Sequence, residues 1–311
     1  MSLASRVNDL FISQMNEWDL ARDNYKQLEQ VSTRKIGFGS FDLTVQFNRG
    51  RITSSAANVD TRSIETRPCF LCQKNRPEKQ RGLRFEESWT VLVNPFPIFP
   101  SHLTIVSDSH TDQRILPSFR TMLSLAAELP DFVIFYNGPQ CGASAPDHLH
   151  FQAGNKRFLP IENDFESKTN CFLISGKDGL KVWQWKDYLR GIATFEGSYR
   201  EGLARGFEKF YSRFQLLQPE RPEPMLNILC SFSEGRWLIH VIPRKLHRPT
   251  QFFAEDAGRI LLSPASVDMG GVVITPREED FIKVTASDLT DIFGQVCFTG
   301  EEMLPLITNL I

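Results

Sequence analysis

Apolar positions along the chain switch between two periods, and the switches mark out its elements. Over residues 2–30, Leu10, Met15, Leu20, Tyr25 and Leu28 recur among polar residues with no glycine or proline between them. That spacing predicts one or two amphipathic helices. Residues 36–47 alternate through Phe38, Phe41, Leu43 and Val45 and read as a strand. Residues 48–66 turn polar, with Arg49-Gly-Arg51 and several serines and threonines, and read as a loop. Arg62 and Arg67 stand at its end, on a solvated face or beside an anionic ligand. Two short apolar runs, residues 89–93 and 103–106, predict strands. Residues 117–129 set Phe119, Met122, Leu123, Leu125 and Ala126 at helical spacing, and residues 132–136 are apolar throughout, as a buried strand is.

Beyond Pro160 the chain is polar, then strand-like at residues 171–174 and 180–185. Residues 198–217 gather Leu203, Phe207, Phe210, Tyr211 and Phe214 on one helical face. Residues 225–245 form a hairpin that turns at Glu234-Gly235. Residues 260–275 place an apolar strand on each side of Gly270-Gly271, and residues 276–311 are helical again. A meander of strands with long helices laid over it is an α+β arrangement.

Composition changes this picture mainly by exclusion. At 311 residues the chain can bury a large core, and 41% hydrophobic with 23% charged residues is the balance of a globular protein. A net charge of −2 provides no broad basic field, so nucleic acid is not an expected partner. No run of about 18 apolar residues is present, so no membrane span is expected. The first ten residues lack the long apolar core of a secretory leader, and six cysteines in this length are not a disulfide scaffold. A cytoplasmic protein is the expectation. Twenty-five phenylalanines suit a large core and also a pocket that stacks a base.

The chemistry concentrates in residues 137–152, Asn-Gly-Pro-Gln-Cys-Gly-Ala-Ser-Ala-Pro-Asp-His-Leu-His-Phe-Gln. With a side-chain period of two, His148, His150 and Gln152 project from one strand face while Leu149 and Phe151 enter the core. Polar groups in a row are costly to bury without partners, which argues for a site. The small residues before them, including Gly142, Ala143 and Ser144, let backbone N–H groups come close to a phosphate. Asn94 and Asn137 each end a predicted strand beside this loop and are candidates to face a nucleotide. Arg244, Lys245, His247 and Arg248 form a short basic cluster, either solvated or holding an acceptor phosphate. Cys69 and Cys72 form a C-x2-C turn that sets two thiolates within reach of one tetrahedral metal, or a reduced pair in an ordinary turn. His102 precedes one apolar run and His110 follows it.

Taken together, Pro-Ser-His-Leu-Thr-Ile-Val at residues 100–106, a helix, and a glycine-rich loop ending in His-Leu-His-Phe-Gln resemble the histidine-triad superfamily. Glutamine at the third position marks its nucleotidyltransferase branch, and the string around Gly142 to Ala153 most resembles the GDP-hexose phosphorylases. The resemblance implies histidine-triad-like antiparallel sheets with packed helices, in two fused halves. It places an N-terminal extension at residues 1–66, a catalytic half at 67–160 and a degenerate second half at 161–311. His150 matches the nucleophile that takes a nucleotide's α-phosphate, and Gln152 matches the residue that hydrogen-bonds the phosphoryl group. Cys69, Cys72, His110 and His148 match the ligands of a structural zinc ion. The chain departs from the pattern in two places. Plant-type GDP-hexose phosphorylases do not obviously share the C-x2-C, and Asp147 stands where the uridylyltransferases have proline. The resemblance implies a phosphorylase-type nucleotidyltransferase acting on a nucleotide sugar or dinucleoside polyphosphate, with phosphate or a sugar phosphate as acceptor and a homodimer as the family's common assembly. A nucleotide hydrolase of the same superfamily and a non-catalytic nucleotide- or zinc-binding protein are the rival readings.

Overall fold

The computed structural model describes residues 1–52 and 61–310. Two N-terminal helices, Leu3–Glu17 (α1) and Asp19–Leu28 (α2), answer the first helical pattern. Ser2 caps α1 by accepting from the Ser5 N–H, and Leu3, Val7 and Leu10 form its buried stripe. Trp18 takes extended backbone angles between the two helices and ends the first. The strand predicted over residues 36–47 is instead a hairpin, Ser32–Gly37 (β1) and Asp42–Phe47 (β2). Its turn runs through Gly39 at φ +79°, a conformation that alternation alone does not reveal.

The remaining strands are Gly82–Phe85 (β3), Trp89–Val93 (β4), His102–Ser107 (β5), Phe132–Asn137 (β6), His150–Asn155 (β7), Cys171–Lys177 (β8), Leu180–Trp185 (β9), Ala193–Gly197 (β10), Leu226–Ser233 (β11), Arg236–Pro243 (β12) and Val272–Thr275 (β13). Ten of them form one sheet in the order β3-β4-β5-β7-β6-β11-β12-β10-β9-β8. Read from either edge inward, the order is the same: three strands of a meander, then the fifth, then the fourth. A helix follows the third strand each time, Phe119–Glu128 (α3) in the first half and Arg200–Gln215 (α4) in the second. The chain therefore folds one unit twice, and β6 pairs with β11 at the seam, Asn137 opposite Asn227. This is the mixed α+β architecture expected. No helix among the described residues is long and apolar enough to cross a membrane.

Both long helices cover one face of the sheet. The Phe119 and Phe207 rings stack there, 3.9 Å between centroids, above Ile134, Phe151, Ile228 and Val241. The opposite face carries Phe99, Phe135, Leu229 and Trp185, packed beneath the hairpin residues Leu43 and Val45 and the C-terminal helix residues Leu289 and Phe293. β13 pairs in parallel with β2, so the N-terminal hairpin and the C-terminal segment share a second, three-stranded sheet. Only one of the two strands predicted in residues 260–275 forms. Residues 266–269 are a helical turn, because Asp268 accepts the Ala265 N–H and caps it.

The fifth strand of the second half also carries a histidine, in a packed setting. His240 of β12 sits on the same sheet face as His150 of β7, but the Phe165 and Trp185 rings pack edge-on against it at 5.4 and 5.7 Å. Trp185 donates to the Thr194 hydroxyl, which lies 2.7 Å from His240 Nδ1, and burial pushes this imidazole down to about 3.

Candidate active site

His148 lies outside the strand that was predicted to hold it. β7 begins at His150, and residues 146–148 form a turn. Leu149 and Phe151 do enter the helix-covered core, so His150 and Gln152 point to the other face. There a cavity of about 560 Å³ opens, lined by both halves and by the N-terminal extension. The volume lies within the range of small-molecule sites.

Four hydrogen bonds decide what His150 can do. Its N–H donates to Gln113 Oε1 at 2.8 Å, and Gln113 Nε2 donates back to the His150 carbonyl at 2.9 Å and to the Asn137 carbonyl at 3.0 Å. Gln113 is fully buried and clamps β7 to the end of β6. The His150 Nδ1–H donates to the His148 carbonyl at 2.8 Å, which leaves Nε2 as the bare nitrogen. Burial pushes the imidazole down to about 4 against the help of that carbonyl. A neutral ring, held in one tautomer on a cavity wall, can act as a nucleophile without a separate base. Gln152 shares the wall, with its Oε1 2.9 Å from His102 Nε2.

The glycine-rich loop passes close to the second half. A Cβ at Gly142, where φ is +98°, would stand 2.4 Å from Ala265 Cβ, and one at Gly138 would stand 2.9 Å from the Leu226 carbonyl. Gly142, Ala143 and Ser144 line the cavity. Asn137 lines it too; its Oδ1 is taken by Asn227 Nδ2 and the Ser266 N–H, which directs its amide nitrogen elsewhere. Asn94 lines the cavity with both ends of its amide engaged, donating to Thr104 and accepting the Phe96 N–H.

Lys245 is not brought to this wall. Its ammonium pairs with Glu302 at 2.7 Å, and its neighbour Arg244 is a buried structural group. His247 and Arg248, from the same basic cluster, do line the cavity. Arg248 donates to Ser263 Oγ at 3.0 Å, and its guanidinium lies 4.1 Å from the Phe252 ring centroid. Arg67 lines the cavity as well, bonded to the Ser144 carbonyl and to Asp147 at 2.8 Å. Its Nη1 is buried with no hydrogen-bond partner among the described residues. The Arg62 side chain lies outside the described residues. Sequence reasoning missed Arg51, Gln113 and Asp268. Burial pulls Arg51 down to about 10, with the Asp268 charge opposing, and raises Asp268 to about 6 despite backbone bonds from Ile274 and Ala265. None of the three sits in a motif.

Beside this cavity Cys69, Cys72, His110 and His148 converge, with their ligand atoms all within 4.8 Å of one another. Cys69 Sγ and Cys72 Sγ lie 3.3 and 3.6 Å from His148 Nδ1, and Cys72 Sγ lies 3.3 Å from His110 Nδ1. Tetrahedral zinc with ordinary bond lengths has ligand–ligand edges of about 3.3–3.8 Å, so the four fit it. The second shell fits also: His148 Nε2 donates to the Ser107 carbonyl at 2.7 Å, and His110 Nε2 stands 3.7 Å from Asp147. Burial opposes the Cys69 thiolate, yet the His148 ring and the Leu71 and Cys72 N–H groups bring it down to about 6.

Two family models cover most of the chain. A domain of unknown function (DUF4922) matches residues 10–155, and a GDPGP1-like C-terminal domain matches residues 164–306. The galactose-1-phosphate uridylyltransferase of Clostridium perfringens is 24% identical over 139 residues, 39% of this chain and 28% of that protein. Diadenosine 5′,5′′′-P1,P4-tetraphosphate phosphorylase 2 of Saccharomyces cerevisiae is 28% identical over 112 residues, 31% of this chain and 32% of that one. The chain thus matches about three-tenths of the length of these curated relatives. The crystal structure of yeast Ap4A phosphorylase Apa2 in complex with Ap4A superposes with a TM-score of 0.58 at 17% identity, over 91% of this chain and 97% of the other. That likeness is one of fold.

Proposed function

Because the chain belongs to the nucleotidyltransferase branch of the histidine-triad-like superfamily, we propose that it transfers a nucleotidyl group through a covalent adduct on His150. The donor is a nucleotide sugar of the GDP-hexose kind or a dinucleoside polyphosphate, and the acceptor is phosphate or a sugar phosphate. The observation that carries this reading is the bare Nε2 of His150 on the wall of a nucleotide-sized cavity, its other nitrogen tied to the His148 carbonyl.

The steps balance without an added base. The Nε2 lone pair attacks the α-phosphorus, the bond to the bridging oxygen breaks, and the leaving phosphate departs with that electron pair. An acceptor phosphate oxygen then attacks the same phosphorus, and the N–P electron pair returns to Nε2. Charge gathers on the non-bridging oxygens in both steps. The loop at residues 142–144, Gln152 and the guanidinium groups of Arg51, Arg67 and Arg248 are the proposed stabilisers. Gln152 cannot exchange a proton at neutral pH, which suits an acceptor that is already an oxyanion better than water.

Intact mass measured after exposure to GDP-hexose or to Ap4A tests the proposal. An added nucleoside monophosphate, discharged by phosphate, is expected, and its mass identifies the base. Turnover independent of phosphate indicates the hydrolase, and tight nucleotide binding without any adduct indicates a non-catalytic binder.

The state of His150 sets the pH dependence. Its folded value is depressed to about 4 by burial, so the nucleophilic neutral form persists throughout the neutral range. The rate of adduct formation is expected to stay flat from about pH 5.5 to 8 and to fall only as the pH drops through about 4. A solvated imidazole would bend the profile near ~6.5. A bend there contradicts the buried geometry.

Cys69, Cys72, His110 and His148 would hold zinc as a structural ion that fixes the turn leading into β7. Elemental analysis is expected to return one zinc per chain. Serine at Cys69 is expected to lower that content and to cost ~10 °C or more in melting temperature, since metal and fold are coupled in such sites. Full stability with no metal bound would contradict the assignment.

A further inference from the structure

We infer that His102 is a positioning residue whose single tautomer forces Gln152 to present its amide N–H groups, and not its carbonyl, to the phosphoryl group on His150. The inference rests on the reading of His150 as the nucleophile and adds a group to it that does not touch the substrate.

His102 opens β5 and is completely buried. Its backbone is pinned from the N-terminal extension: the Tyr25 hydroxyl on α2 donates to the His102 carbonyl at 3.1 Å and accepts its N–H at 3.2 Å. Its ring is wedged between Phe99 and Phe135, with centroids at 5.4 and 5.8 Å. Across the ladder stands Gly154, where a Cβ would strike the Phe99 ring at 2.3 Å, so the wedge leaves no slack on that side. Both ring nitrogens are occupied. Nδ1 lies 3.1 Å from the Ile98 N, and Nε2 lies 2.9 Å from the Gln152 amide.

Hydrogen-bond polarity then runs one way along this chain. The Ile98 N–H can only donate, so Nδ1 must accept and carries no proton. A neutral imidazole without a proton on Nδ1 carries it on Nε2, which must therefore donate. The group facing Nε2 has to be an acceptor, so Gln152 turns its Oε1 to His102. The reversed amide would set N–H against N–H. Protonating the ring would set Nδ1–H against the Ile98 N–H, and burial together with the Arg51 charge already holds His102 neutral, down to about 3. Gln152 is left with both Nε2 hydrogens for the cavity, where a phosphoryl oxygen carries negative charge. A backbone N–H at Ile98 thus settles which end of a side chain reaches the reaction. An amide free to flip would offer its oxygen to that charge part of the time, and repel it.

Two substitutions separate this role from simple packing. In His102→Asn the amide can keep an acceptor near the Nδ1 position, but it puts no donor at Nε2. In His102→Gln the amide nitrogen falls near Nε2 and restores the donor, while the Ile98 contact is lost. With stability followed by thermal melting and adduct formation by rapid-quench mass measurement, H102N is expected to slow nucleotidylation about 100-fold, the scale of losing one oriented donor. Its donor KM is expected to stay near that of the wild type. H102Q is expected to recover most of that rate even where it melts lower. In a Gln152→Met background, H102N should cost almost nothing further, because the group it orients is gone. Full activity in H102N, a rate in H102Q no better than in H102N, or additive losses with Gln152→Met each overturn the inference. A wild-type protein that never takes the adduct overturns the His150 reading and this one with it, and is told apart because it fails before any variant is made.

Discussion

Alanine at His150 is expected to leave a folded protein that takes up no nucleotide and turns over at least ~10⁴-fold more slowly, the scale of removing a nucleophile that nothing nearby replaces. The loss is large because the residue supplies the bond that forms, and the other polar groups around it only stabilise charge. His148 cannot substitute: its Nε2 donates to the Ser107 carbonyl, and its Nδ1 faces Cys69 and Cys72. His102 cannot either, with both nitrogens engaged and the ring fully buried. Folding should survive, since truncation removes only the Nδ1 bond to the His148 carbonyl, while the clamp by Gln113 acts on the backbone of residue 150 and remains. Nucleotide binding measured by calorimetry should therefore persist while the mass adduct disappears. An H150A protein that still forms the adduct would move the nucleophile elsewhere and remove the basis of the mechanism.

Methionine at Arg244 is expected to destabilise the protein by about 3–5 kcal/mol, the cost of leaving a buried charged-group network without its centre. Arg244 is completely buried and uses all five of its donors. Nε donates to the Val296 carbonyl, Nη1 to Asn227 Oδ1 and the Pro264 carbonyl, and Nη2 to the Leu246 and His247 carbonyls. Removing the guanidinium leaves those acceptors in a dry interior. Lysine should not rescue the loss, because an ammonium has three donors and no planar fork. The change reaches the cavity too, since Arg244 holds the segment that delivers His247 and Arg248 to its wall and anchors Asn227 beside Asn137. Denaturant unfolding measures the effect. Methionine at the adjacent Lys245, whose ion pair with Glu302 is partly exposed, should stay within about 0.5 kcal/mol of wild type. Equal, small losses at both positions would show that the network carries no stability.

The pair illustrates how unevenly a sequence reveals function. Arg244 and Lys245 are neighbours in one basic cluster, and nothing in their identities says which is buried. That was decided where the chain leaves β12 and the Arg244 guanidinium and Lys245 N–H meet the Val296 carbonyl, a contact between residues about fifty apart. Gln113 is the sharper case. It sits in an unremarkable loop, yet fastens the strand that carries His150, because its amide reaches three backbone groups that adjacent strands bring together. The predicted common face of His148, His150 and Gln152 fails for a related reason. Period-two alternation holds only inside a strand, and the strand begins at His150, so His148 is free to turn toward Cys69 and Cys72.

The sequence by itself determined the class of fold and the His150–Gln152 spacing, while the second half and the metal-type quartet were legible only through the resemblance to the histidine-triad superfamily. The first two are matters of local period and residue chemistry, legible wherever side chains a few positions apart act together, whereas the quartet joins positions from 69 to 148 that no local period connects. Only the tertiary structure decided which residues of the two halves line the cavity, which arginines face it, and that Nε2 is the bare nitrogen of His150. Those depend on hydrogen-bond partners and packing supplied from distant parts of the chain, and a proton's place on a ring is set by whatever donor or acceptor the fold puts opposite it.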